Sequence, residues 1–157
     1  MTENAAASKP RIKYRNYEYR TGLSWLGGKA GKMSSEGKPE FRVASPPEFR
    51  GEAGVWSPED LFVAAVETCT MTTFISLVER RKLPVISYAS EATGTLEYKE
   101  GGFRMTKVVV KPEITIGDQE SFAETELAVH DAHTHCLITN SITSIVDVEP
   151  IIHVKKT

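Results

Sequence analysis

From Ser57 to Arg81 the chain reads SPEDLFVAAVETCTMTTFISLVERR, and no other stretch limits the possible folds so strongly. Ser57 suits an N-cap, Pro58 the first helical position, and Glu59 and Asp60 put negative charge on a first turn whose dipole favours it. Ser57-x-x-Asp60 is a variant capping box, and the charged run Glu79 to Lys82 followed by Pro84 closes the element. Such a helix is about 37 Å long. Its apolar residues, Leu61 to Val66, Cys69, Met71, Phe74, Ile75, Leu77 and Val78, cover more than one stripe, so it must be covered on several sides. A chain of 157 residues can hardly supply that cover alone. The expectation is a homodimer in which two such helices pack together, each wrapped by sheet from both chains; the plainer alternative is a monomer with one well-buried helix.

The remaining segments read as follows. Residues 1–10 are polar and alanine-rich and are expected to form a flexible tail, with residues 11–157 as a single domain. Tyr14, Tyr17, Tyr19, Leu23 and Trp25 supply strand-prone material for a hairpin or bulged pair from Arg11 to Leu26, stopped by Gly27-Gly28. GGKAGKMSSEGK is turn-like in composition, PEFRVA reads as a short strand, and SPPEFRGEAGVW is a loop punctuated by proline and glycine. After Pro84 the period becomes two: VISYASEATGTLEY, the turn KEGG and FRMTKVVVKPEITI form a long antiparallel hairpin whose apolar face can lie on the helix. A second helix is expected to start near Asp118 or Ser121, with Cys136 to Ile145 as its kinked continuation or a separate short helix. SIVDVEPIIHV closes as a strand broken at Pro150. The fold class is therefore α+β, with helices on one face of an antiparallel sheet.

Charge argues against two classes of partner. A formal net charge of −2, with both signs interspersed, creates no field that would gather nucleic acid or an anionic membrane. RIKYRNYEYR mixes basic and aromatic residues, as an exposed two-sided strand also does. The N-terminal residues hold no signal-peptide run and no segment is an uninterrupted apolar span, so a cytoplasmic protein is expected. Two cysteines in reducing cytosol do not make a structural framework; if Cys69 and Cys136 pair, the bridge is transient and chemical. Otherwise they are small core residues. The run HDAHTHC brings His130, His133, His135 and Cys136 together, but no second cluster completes a zinc shell, so neither metal nor cofactor is expected. His135 is a candidate to tune Cys136. GGKAGK lacks the full phosphate-loop pattern and is read as a turn.

In combination, GGKAGK, the SPPEFRGEAG loop, the SPEDL helix start with Cys69 ten residues after Glu59, and the late AHTHCLITNSI resemble the OsmC/Ohr family, the osmotically inducible and organic hydroperoxide resistance proteins. The resemblance spans nearly the whole chain past the tail. It implies an intertwined α+β homodimer with long central helices between antiparallel sheets and a cysteine-based thiol peroxidase. It further implies Cys69 as the peroxidatic thiol, Cys136 as the resolving thiol, Glu59 as the carboxylate that orients an arginine, and a dithiol reductant of the lipoyl type. Where the hydroperoxide resistance branch carries arginine in G-G-R-x-G, this chain has Lys29, and the other branch's arginine aligns nearer Glu48 than Arg50. Lys29, Arg42 and Arg50 are thus the candidate cations.

The chemistry sets a demand on that cation. A peroxide is attacked by a thiolate, so Cys69 must ionise below the usual thiol value of about 8.5, against the effect of apolar burial. A guanidinium suits best, because its fork can hold thiolate and peroxide together, whereas lysine gives only charge. Glu59 lies roughly 15 Å along the helix axis from Cys69, so it is expected to serve the partner's thiol or to act through a basic residue. Phe62, Val66, Met71 and Phe74 are expected to give an apolar lining that favours an organic hydroperoxide over hydrogen peroxide. The rival is an OsmC-like stress or small-molecule-binding protein without efficient turnover.

Overall fold

A computed structural model of the chain describes residues 14–156; the expected tail of residues 1–10 lies outside them. Three strands come first: β1 (Gly22–Gly27), β2 (Ala30–Ser34) and β3 (Phe41–Ala44), antiparallel in the order β1-β2-β3. Residues 14–21 carry no regular structure, so the expected first hairpin shifts down the chain, and its second strand is the segment whose composition suggested a turn. Gly27 and Gly28, at φ 103° and 52°, make the tight reversal that lets Trp25 face Gly31. Gly31 and Ala30 are buried, and a Cβ on Gly31 would meet the Leu23 side chain. Small residues are therefore what this strand requires, and they disguise it.

The central element α1 (Pro58–Arg81) starts as its residues dictate. Ser57 Oγ accepts the Asp60 N–H at 3.1 Å, and the Asp60 carboxylate accepts the Ser57 N–H at 2.9 Å, which completes the capping box. At its C-terminus Lys82 takes a left-handed conformation and returns its N–H to Glu79 and Val78. Its hairpin follows, β4 (Val85–Lys99) and β5 (Gly102–Ile116), turning through Glu100 and Gly101 at positive φ. Next come α2 (Phe122–His135), a single 3-10 turn at Thr139–Ser141, β6 (Ile145–Val148) and β7 (Ile151–Val154). The segment after Cys136 is thus one short turn in place of a continued helix.

The second sheet is mixed and not purely antiparallel, because β6 and β7 both run parallel to β5 along one edge. The α2 crossover returns the chain to the end of β5 from which it can only run in the same direction. Pro150 has no N–H to give a ladder, so the edge breaks between β6 and β7 while Glu149 N–H still reaches the Val110 carbonyl at 2.9 Å.

Both helices pack on this sheet. Phe74 and Leu77 of α1 meet Ile114, Ile116, Ala128, Val129 and Ala132, and Val66 meets Val108, Val110 and Val146. Gly94 of β4 lies directly under α1, where an added Cβ would stand 2.5 Å from a Val63 methyl. Val66, Thr70, Phe74 and Leu77 make up the buried stripe of α1, and only that stripe is fully buried. Within one chain α1 is covered on one face. By length and a mean hydropathy of 1.7 it would pass for a membrane span, with 22% of that window buried. It nevertheless carries Glu67 in mid-course, hydrogen-bonded by Ser90 Oγ at 2.6 Å from β4. The first sheet also keeps apolar surface open, with Leu23 at 66% and Trp25 at 78% exposure.

Candidate active site

Cys69 stands on α1 beside the buried stripe, and Cys136 ends α2. The fold brings the two thiols face to face, both free, with Cys136 fully buried and Cys69 partly so. Thr139 N–H donates to Cys136 Sγ at 3.4 Å. Burial pushes the Cys69 thiol up, and its hydrogen bond to Cys136 pushes it further. Burial pushes Cys136 up as well, but the Cys69 thiol beside it and the N–H groups of Thr139 and Ile138 outweigh this and hold Cys136 below its ordinary value. These directions run against what the peroxidatic assignment of Cys69 requires, and among the described residues no cation is one of the groups that perturb Cys69.

The candidate cations are elsewhere. Lys29 donates to the Phe49 carbonyl, and Arg42 holds Glu52 through two bonds of 2.9 and 2.7 Å. Arg50 sits in a left-handed conformation closing the Pro47–Phe49 turn, exposed, with no ion pair among the described residues. Glu59 is also remote from Cys69. It lines a cleft of about 960 Å³ between the 46–57 loop, the start of α1 and the β4-β5 hairpin. The cleft carries the carboxylates of Glu48, Glu52, Glu59, Asp60 and Glu67, and no lysine or arginine among the described residues lines it. Arg42 satisfies Glu52, the capping box satisfies Asp60 and Ser90 satisfies Glu67. Glu59 Oε2 is buried with no hydrogen-bond partner among the described residues. Phe49 and Phe103 close the rim edge to face, centroids 5.3 Å apart.

The expected apolar lining divides. Val66 and Phe74 point into the core, and Phe62 lies at a second, shallower cleft beside Arg104 and Ile142. Met71 lines neither cleft. The histidines belong to the last turns of α2: His135 Nδ1–H donates to the Asp131 carbonyl at 2.7 Å, and it is not among the groups that perturb Cys136. Among the described residues no three histidine, cysteine or acidic side chains converge on a metal position. Sequence reasoning passed over Thr139, although its spacing of three from Cys136 matches that of a capping residue and its donor.

A family model described as OsmC-like protein matches residues 51–150, which contain both thiols and Glu59. Among curated proteins the chain is similar to the organic hydroperoxide resistance protein-like 2 of Staphylococcus saprophyticus, 25% identical over 135 residues, 83% of this chain and 92% of that one. Among solved structures it is similar to an OsmC-like protein of unknown function from Vibrio cholerae, with a TM-score of 0.80 at 25% identity, covering 87% of this chain and all of that one. An organic hydroperoxide resistance protein OsmC from Legionella pneumophila superposes with a TM-score of 0.70 at 26% identity, covering 89% of this chain and 99% of that one.

Proposed function

The chain belongs to the OsmC-like protein family, and on that premise we propose that it is a thiol peroxidase acting on organic hydroperoxides as a homodimer. The observation that carries this reading is the meeting of Cys69 and Cys136, two free thiols from separate elements, each of which alters the other's ionisation. Two inert core cysteines have no need to face each other.

The proposed reaction begins at Cys69. Its thiolate attacks the outer oxygen of a hydroperoxide: an S–O bond forms, the O–O bond breaks, and the alkoxide takes up a proton and leaves as the alcohol. The Cys69 sulfur, oxidised by two electrons, is then a sulfenic acid. Cys136 displaces its hydroxyl, giving a disulfide and water and protecting Cys69 from further oxidation. An external dithiol, of the lipoyl type in this reading, returns the two electrons. The reducing conditions this cycle needs are those of the cytoplasm.

The second chain supplies the missing charge. Glu59 keeps an unpaired buried oxygen in a cleft without cations, and Cys69 lacks a cation beside it. Each lack is what an arginine carried on the partner chain would meet, held by Glu59 of one chain and laid against Cys69 of the other. Of the two candidate arginines, Arg42 is paired with Glu52, and Arg50 is the one without an ion pair among the described residues. The open stripe of α1 and the exposed Trp25 face are the surfaces that such pairing would cover. The competing reading, a binding protein without turnover, draws on the protonated Cys69 of the isolated chain.

Consumption of cumene hydroperoxide with dihydrolipoamide as reductant separates the two. The peroxidase reading expects turnover that is second order in enzyme and peroxide, slower with hydrogen peroxide, and absent in Cys69→Ser. Binding of the peroxide or its alcohol without consumption would leave the competing reading standing.

A further inference from the structure

Cys136 ends α2 and accepts two N–H groups of the turn that follows. Its carbonyl accepts the Asn140 N–H at 3.0 Å and its Sγ accepts the Thr139 N–H at 3.4 Å. The Thr139 hydroxyl is buried with no hydrogen-bond partner among the described residues, so the residue whose N–H meets the sulfur also carries an unengaged donor. A buried hydroxyl left unpaired is costly, and a charged acceptor repays it better than a neutral one. From outside the turn, Cys69 of α1 is the titratable group that faces Cys136. Of the neighbouring histidines on α2, His135 is turned to the Asp131 carbonyl and His133 has Nδ1 buried without a partner.

We propose that Thr139 is a positioning residue for disulfide formation: its N–H and hydroxyl hold the Cys136 sulfur as an acceptor, so that Cys136 meets the Cys69 sulfenic acid already as a thiolate. The proposal rests on the peroxidase reading of the thiol pair. In this step the Cys136 thiolate attacks the Cys69 sulfur, an S–S bond forms, and the S–O bond breaks. Hydroxide leaves and takes up a proton from solvent as water. The sulfenic sulfur is reduced by one electron and the Cys136 sulfur is oxidised by one, and the peroxide is the oxidant of the whole sequence. No separate base is needed to open the second half of the cycle, and the sulfenic acid is short-lived.

The decisive test is the ionisation of Cys136 in the Cys69→Ser chain, followed by ultraviolet thiolate absorbance against pH with Cys69→Ser/Cys136→Ser as the blank. With Thr139, and with Thr139→Ser, the midpoint is expected below the usual thiol value of about 8.5. With Thr139→Val, which keeps the shape and the N–H but loses the hydroxyl, it is expected about one pH unit higher. Thr139→Ala carries the same comparison if the valine chain does not fold. An unchanged midpoint in these variants overturns the proposal. In the chain with both cysteines, Thr139→Val treated with one equivalent of cumene hydroperoxide is expected to accumulate roughly tenfold more dimedone-trapped Cys69 sulfenic acid, matching the fall in thiolate. If Cys69 is oxidised in neither protein, the peroxidase reading falls and the disulfide step with it, while the titration still decides whether Thr139 ionises Cys136.

Discussion

On the Cys69 side of α1 one chain sets beside Cys69 a second thiol from the end of α2, whose sulfur accepts the Thr139 N–H. On the Glu67 side, nearly opposite around the helix because the two residues are about 200° apart, the same chain builds a carboxylate-lined cleft and leaves Glu59 Oε2 with nothing to hold. Among the described residues the thiol side has no cation to lower Cys69, and the cleft has carboxylates and no cation. Both sides lack the same group, and in the proposed homodimer one partner arginine would serve both.

Removing Cys69 should have the largest effect. Cys69→Ser is expected to abolish peroxide turnover outright, whereas Cys136→Ser is expected to leave the first oxidation intact and to let Cys69 proceed to sulfinic acid, read by mass after excess peroxide. Equal loss in both variants, with no oxidised Cys69, would erase the distinction between the two sulfurs. On the cleft side, Glu59→Gln keeps the shape and removes the charge. It is expected to lower kcat/KM on the order of 100-fold, the scale of losing one preorganised electrostatic contact, with little change in melting temperature. Unchanged kinetics would remove the cleft from the reaction.

Gly94→Ala sharpens the comparison by prying the two sides apart. Its Cβ would meet the Met105 methyl and stand 2.5 Å from a Val63 methyl, so the contact between α1 and the sheet must repack. Destabilisation of about 1–3 kcal/mol is expected from urea unfolding. The smallest effect concerns the brace of the thiol side. Arg81 of α1 bonds Asp131 of α2, and this hydrogen bond holds the Asp131 carboxyl below its usual value. A folded-state pKa that is depressed contributes stability above the unfolded value of about 3.9, which is lost as pH falls through the folded one. The melting-temperature gap between the native chain and Asp131→Asn is therefore expected to be constant from neutral pH down to about 5 and to close at lower pH. A gap that widens with acid would contradict the pairing.

What the sequence disclosed and concealed follows the range of the forces involved. The capping box of Ser57 and Asp60 and the Glu100-Gly101 turn are local, and both are where the residues place them. β2 was hidden because Gly31 is small for a packing reason that arises only against Leu23 and Ser24 of β1. The parallel direction of β6 and β7 depends on the path of α2, which no periodicity within those strands records. At the candidate site, the contexts of Cys69 and Cys136 single them out in the sequence, and in the structure each is among the groups that shift the other. The directions of those shifts were not legible, because they depend on burial and on donors such as the Thr139 N–H.

The most direct test of the central claim is the intact mass of the reduced protein, alkylated in denaturant before and after one equivalent of cumene hydroperoxide. The account predicts that both thiols become unavailable together with a mass decrease of two hydrogens, and that the loss is absent in Cys69→Ser. Two thiols that remain fully alkylatable after exposure of the folded protein would contradict it, and would return Cys69 and Cys136 to the core.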